Sequence, residues 1–196
     1  MSAYLEYIPP AARAYCTSVS RRYTFTLVLK KSRTSKLGDF RHDRSKGSYT
    51  ISINKNLNPY QFLLTFLHEL AHLQVALAYP RSAKAHGPEW KKAFKELMQP
   101  VLQEEIFPQP LITVLQHHMR NPRAAAGSDP KLWNALQAYN RQPPGRQLAS
   151  LTDGDKFIFR NKQFNRVEKK RTRFLCREAK TRRLYLIPGI AEVELL

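Results

Sequence analysis

Cysteine is nearly absent from this chain: Cys16 and Cys176 stand alone among 196 residues. They lie far apart and in no C-x-x-C pair, so a second, cysteine-built structural zinc is not expected. Acidic residues are also few, 15 against 33 Lys and Arg, which leaves a net charge of +18 and a pI near 10.2. A charge this high is costly without an anionic partner. Every apolar run is broken by charge, so no membrane span is expected. Residues 1–10 have neither a basic start nor an apolar h-region, so no secretory leader is expected either. With two Cys that have no neighbour to pair with, this points to a reducing, cytoplasmic location. There is no internal repeat and no long low-complexity segment.

What remains is an ordinary globular composition, 42% hydrophobic and 11% aromatic, at a length that suits one domain or one with a small appendage. Within it, His68-Glu69-Leu70-Ala71-His72 forms an H-E-x-x-H motif inside the apolar segment Pro59 to Tyr79. Asn58 suits an N-cap and Pro59 the first helical position, and no Gly or Pro follows until Pro80. Phe62, Leu63, Phe66, Leu67, Leu70, Leu73 and Leu77 recur at spacings of three and four, the pattern of a buried helix. Two His four apart point their imidazoles at one metal ion, and the Glu between them reaches a water on that ion. The bland reading is a hydrogen-bonded pair of core His with a surface Glu. A buried helix carrying all three polar residues argues against it.

A catalytic zinc takes three protein ligands and leaves one position open. His86 is the first candidate for the third ligand. Gly87 and Pro88 read as the turn that starts a second helix, Glu89 to Met98, and hold His86 beside the first. The rival is a carboxylate, Glu89 or Glu96, seven apart on that second helix.

These pieces together resemble the SprT-like metallopeptidase family. The matching segments are His68 to His72, His86-Gly87-Pro88-Glu89-Trp90, and an upstream stretch from Ser32 to Gly38-Asp39-Phe40 followed by the strand Tyr49 to Asn54. The resemblance covers about residues 15 to 100. It implies a zincin-like α+β domain, a small antiparallel sheet packed on the H-E-x-x-H helix. It also implies one Zn2+ held by His68, His72 and His86, with Glu69 as general base on a zinc-bound water. The implied substrate is protein attached to or bound on DNA. Many members carry a four-Cys zinc ribbon after the catalytic part. Here that position holds a β-rich segment without the cysteines. Tyr79, His117 and His118 are possible oxyanion partners, and His117-His118 also reads as a plain strand pair, one side chain in and one out.

The C-terminal part carries the densest charge. Arg160, Lys162, Arg166, Lys169, Lys170, Arg171, Arg173, Arg177, Lys180, Arg182 and Arg183 alternate with Phe157, Phe159, Phe164, Phe174 and Tyr185. Between Lys156 and Arg183 the only acids are Glu168 and Glu178. The charges suit a phosphate backbone. The aromatics read either as stacking platforms for unpaired bases or, more economically, as the core of a small β unit. The charges point to nucleic acid, and an RNA contact would look the same at this level. With the resemblance, DNA is the expected partner besides protein substrate, single-stranded DNA being one form.

Along the chain, a helix over Ala11 to Arg21 precedes strands at Tyr23 to Lys30, Phe40 to Asp43 and Ser48 to Asn54, the last two joined by a turn at Gly47. Leu111 to Met119 reads as a strand or extended link, and Pro130 to Asn140 as a short helix. Gln142-Pro143-Pro144-Gly145 reads as a linker. Residues 1–141 are thus expected to form the catalytic domain. Residues 146–196 are expected to form a basic β unit of four or five strands, with turns at Asp153-Gly154 and Asn161-Lys162. Two other functions compete with the peptidase: a nucleic-acid-binding module with a structural or inactive zinc, and a metallopeptidase with no link to DNA.

Overall fold

A computed structural model describes residues 3–33, 36–80, 83–124, 128–140 and 146–196. Thr34 and Ser35 of the upstream motif and the expected linker at 142–145 lie outside the described residues. The architecture is α+β, with two compact units, Met1–Ala124 and Ala125–Leu196. The expected boundary lay at residues 141–146; the division falls earlier, and the helix over Pro130–Gln137 goes with the second unit.

The first unit contains α1 (Arg13–Ser20), β1 (Thr26–Lys30), β2 (Gly38–Asp43), β3 (Ser48–Asn54), α2 (Pro59–Ala78), α3 (Pro88–Met98) and α4 (Gln109–Arg120). The start of α2 follows from its sequence: the Asn58 side chain accepts a bond from the Gln61 N–H at 2.9 Å, and Pro59 takes the first position. Phe62, Leu63, Phe66, Leu67, Leu70 and Leu73 are all fully buried. Each such side chain contributes about 1.5–3 kcal/mol of burial. Tyr4 and Tyr7, from a 3-10 turn over Ala3–Tyr7, lay their rings on Phe66 and Phe62 at 5.1 and 5.3 Å.

Ile51 and Ile53 bury completely on the same face of β3. The β2–β3 hairpin turns through Arg44–Gly47, where Gly47 has φ 59° and the Asp43 carboxylate accepts the N–H groups of Ser45 and Lys46. The sheet order is β1-β3-β2, with β1 parallel to β3 and β2 antiparallel. The sheet is therefore mixed, not antiparallel as expected. Alternation of apolar residues fixes which face a strand buries and is silent on its direction.

Residues 111–119 form most of α4, which corrects the strand expected there. The β-branched run Ile112-Thr113-Val114 suggests a strand. Leu111, Ile112, Leu115, His118 and Met119, however, bury at helical spacing, and burial outweighs intrinsic preference. Lys95 donates to the Arg120 carbonyl at 2.8 Å and so caps the C-terminal end of α4.

The second unit holds α5 (Pro130–Gln137), β4 (Lys156–Phe159), β5 (Lys162–Lys170), β6 (Arg173–Glu178), β7 (Leu184–Pro188) and β8 (Glu194–Leu195). The five strands pair antiparallel in the order β7-β6-β5-β4-β8 over a core of Leu148, Leu151, Phe157, Phe164, Phe174, Cys176, Ile187 and Val193. The β4–β5 turn is Arg160-Asn161, one residue before the expected pair. Both residues have positive φ, 51° and 60°, as a two-residue type I′ hairpin requires.

Candidate metal centre

Helical spacing brings His68 and His72 one turn apart on α2, with ring centroids 5.0 Å from each other. The third ring comes from the loop before α3. There the Gly87 N–H bonds back to the Lys84 carbonyl at 2.9 Å, and His86 sits at φ 59°. This is the turn position that usually takes Gly or Asn. A histidine held there marks a local strain that the surrounding structure maintains. The turn aims His86 Nε2 at His72 Nε2, 2.9 Å away, and at His68 Nε2, 3.2 Å away. Among the described residues these three make up the group of His, Cys, Asp and Glu side chains able to hold a metal ion. A tetrahedral ion with bonds of about 2.0–2.1 Å spaces its donors by about 3.3 Å, so the trio fits one.

The surroundings keep these rings neutral, the form that ligates. Burial, helped by the charges of neighbouring His, pushes His68 down to about 3 and His72 down to about 4. Burial also lowers His86. Trp90 of α3 is the hub behind them. It is fully buried and lies 4.6, 5.5 and 4.7 Å from the rings of His68, His72 and His86, and its indole N–H donates to the His68 carbonyl at 3.3 Å. Phe94 closes the same side, 5.0 Å from Trp90.

Glu69 is 7% exposed, and burial first, then the Asp39 charge, raise its carboxyl to about 8. Arg33, Lys36 and the N–H of Phe40, which donates to the carboxylate, act in the opposite direction. A cation at the trio would also favour the charged form. The backbone of β2 comes close to this carboxylate because residue 38 has no side chain. A Cβ at Gly38 would lie 2.6 Å from Glu69 Oε1 and 2.6 Å from Thr65 Cγ2.

A buried clamp fixes that approach. Asn54, 1% exposed, donates to the carbonyls of Arg33 and Lys36 at 3.1 and 2.9 Å and accepts from the Arg33 guanidinium at 2.7 Å. Arg33 also donates to Ser52 Oγ at 3.0 Å. Asn54 and Trp90 belong to the family-like segments, and Arg33 lies within the stretch that starts at Ser32, but their types and spacing alone assign them no role. Their signal was present, as an Asn ending a strand and an aromatic one turn into a helix, but only the fold shows what they hold.

The other candidates fall elsewhere. Glu89 lies in the first turn of α3 and Glu96 is exposed on the same helix. Tyr79 is exposed at the end of α2. His117 and His118 lie on α4, not on a strand; the first is exposed, the second buried, and the His118 charge acts on His68. Cys16 and Cys176 are buried in different units, with thiols pushed up to about 12 and about 11 by burial.

In the second unit the aromatics divide as the economical reading expected: Phe157, Phe164 and Phe174 are core, Phe159 packs against it, and Tyr185 is 37% exposed. Arg166 departs from its expected surface role. Its side chain is 10% exposed, pairs with Asp153 at 2.8 Å, lies 3.9 Å over the Phe174 ring and donates to the carbonyls of Leu148 and Leu151. A cation on the core face of a strand needs such partners. Lys162 pairs with the buried Glu178 at 2.8 Å and Lys170 with Glu168 at 2.9 Å. Arg160, Lys169, Arg171, Arg173, Arg177, Lys180, Arg182 and Arg183 are exposed.

The profile of the SprT-like family matches residues 11–116, more than half of the chain, from just before α1 through most of α4. The chain belongs to the SprT-like family, a family of zinc metallopeptidase-like domains. No curated protein and no solved structure matches it. Among the described residues, no helix is long and apolar enough to cross a membrane.

Proposed function

We propose that this chain is a zincin-like zinc metallopeptidase that cuts DNA-associated or DNA-crosslinked protein. His68, His72 and His86 are its ligands and Glu69 is its general base. The observation that carries the reading is the convergence of three neutral imidazoles beside one buried carboxylate. Zinc bound by three neutral imidazoles supplies Lewis acidity toward a carbonyl oxygen and acidifies water to near neutrality. Glu69 takes the proton of the attacking water and returns it to the departing amine. The Phe40 N–H orients the carboxylate for this, and Gly38 leaves it room. Trp90 keeps bulk water from the far side of the histidines. A purely structural zinc would have no use for Glu69, which weighs against the inactive binding-module reading.

The DNA link rests on charge. The exposed arginines and lysines of the second unit outnumber its acids, and they suit a phosphate backbone. The burial of Phe157, Phe164 and Phe174 leaves base stacking little surface there, so backbone contact is the expected mode. The test is cleavage of a DNA-bound basic protein by the zinc-loaded chain, with and without single-stranded DNA. Cleavage that needs DNA supports the whole reading. Equal cleavage without DNA keeps the peptidase and removes the DNA link, and no cleavage with zinc bound favours the binding module.

A further inference from the structure

The β2–β3 hairpin carries a file of rings that begins at the metal centre. Phe40 stacks against His72 with centroids 6.2 Å apart and planes 14° from parallel. Tyr49 continues the file 6.1 Å from Phe40 at 15°, and His42, the cross-strand partner of Tyr49, lies 4.5 Å beyond. The spacing is that of offset-stacked aromatic rings. The register puts all three on the face that also carries Ile51 and Ile53, since Phe40 pairs with Ile51 and His42 with Tyr49. On that face the two isoleucines are fully buried, while Phe40, Tyr49 and His42 are only half-buried. The face therefore passes from core to open surface along the hairpin. On the opposite side of the histidines the rings of Trp90 and Phe94 are sealed in the core. The metal centre thus has one closed aromatic wall and one accessible aromatic wall.

We propose that Phe40, Tyr49 and His42 form a shelf that holds a large apolar or aromatic side chain of the polypeptide substrate, close to the bond that is cut. The inference rests on the peptidase reading and gives that site a side-chain preference. Its occupant must be a flat or bulky apolar group, because the shelf offers ring faces of about stacking size, continuous with His72. A Lys or Arg side chain could also stack on such rings. Arg44 and Lys46, exposed in the turn of the same hairpin, oppose it, as they put positive charge near the end of the shelf. The polar ends of Tyr49 and His42 leave the outer rim able to hydrogen-bond to the substrate backbone.

The experiment is cleavage of a mixed peptide library by the zinc-loaded full chain, with the cut sites read by mass spectrometry. The wild-type chain is expected to enrich Phe, Tyr, Trp, Leu or Met within two residues of the cut. The kcat/KM ratio between matched Phe and Ala peptides is expected to be about tenfold. Tyr49→Ala and His42→Ala are each expected to lower that ratio, and Tyr49→Phe to keep it. Zinc content serves as the check that each variant is folded. Cleavage without enrichment, enrichment of Lys or Arg, or a ratio unchanged in both Ala variants overturns the shelf alone. No cleavage by the zinc-loaded wild type overturns the peptidase reading and the shelf with it.

Discussion

In the first unit, polar side chains are carried into an apolar interior where burial, in the absence of a metal ion, disfavours their charged forms. His68, His72 and Glu69 lie on a helix whose neighbouring side chains are fully buried. Burial moves all three away from their charged forms, the histidines downward and the carboxyl upward. In the second unit the charges remain charged. Its core is apolar, its cations face outward, and the two ionised groups that turn inward, Arg166 and Glu178, are each met by partners. Strained acid–base groups in one unit and satisfied ion pairs in the other are what separates a reactive centre from a supporting or binding surface. A perturbed group with no ionic partner is poised to bind or react, and a paired one is already used.

Substitutions should divide along that line. The largest effect is expected at His86→Ala, which removes one of three ligands. Metal analysis should find zinc content reduced to a small fraction, with cleavage lost as well. Full occupancy would instead move the third ligand to Glu89 or Glu96. Next is Gly38→Ala, which drives a methyl group into Glu69 and Thr65. Displacing a reacting group by about 1 Å costs on the order of 100-fold in rate. Kinetics on this variant should show that loss with zinc retained, and an unchanged rate would mean that β2 does not set the position of Glu69.

In the second unit, Arg166→Ala removes two carbonyl contacts, an ion pair and a packed ring face. Denaturant unfolding should find it destabilised by about 1–3 kcal/mol. Arg177→Ala, exposed and with no acid opposite it on the sheet, should stay within about 0.5 kcal/mol of wild type. It should lower the salt slope of DNA binding by about 1. Equal destabilisation by the two would erase the distinction between inward and outward cations.

Acid should separate the units by its window. His68 and His72 are lowered in the folded state, so the unfolded chain binds their protons first. In zinc-free protein their contribution is therefore lost as pH falls from about 6.5 toward 4 and 3. Glu69 acts with the opposite sign, since its folded carboxyl is raised to about 8. It favours the folded state as pH falls from about 8 to about 4.5 and offsets one of the two histidines in the shared range. Glu178 is held down to about 2 by Lys162, Thr181 and Tyr185, so its contribution is present above about 4.5 and is lost as pH falls toward 2. Hydrogen exchange followed unit by unit should find the first unit weakening at higher pH than the second. Zinc should remove that difference.

Much of this was legible in the residues. Caps, periodicity and turn chemistry are local signals. Asn58, Pro59 and the apolar spacing placed α2, and the strands of the second unit followed from short apolar alternations between turns. His68 and His72 were legible because ligand chemistry restricts both residue type and spacing, whereas His86 stood beside Glu89 and Glu96 and was favoured by the family resemblance. What escaped depends on contacts distant in sequence. Strand direction carries no side-chain signal, so the parallel β1 was unreadable. Burial overrode the β-branched run in α4. The inward place of Arg166 is held by partners distant in sequence, the Phe174 ring of the next strand and the carbonyls of Leu148 and Leu151. The Arg33–Asn54 clamp joins residues on either side of a hairpin, and neither is unusual in its own segment.

The most direct measurement compares the zinc-loaded wild type with Glu69→Gln on one unfolded protein substrate, with zinc content and DNA affinity determined for both. The account predicts equal zinc, equal DNA affinity and a loss of cleavage of at least about 100-fold in the variant. Undiminished cleavage by Glu69→Gln would contradict it, because the carboxylate beside the histidines would then have no part in the reaction.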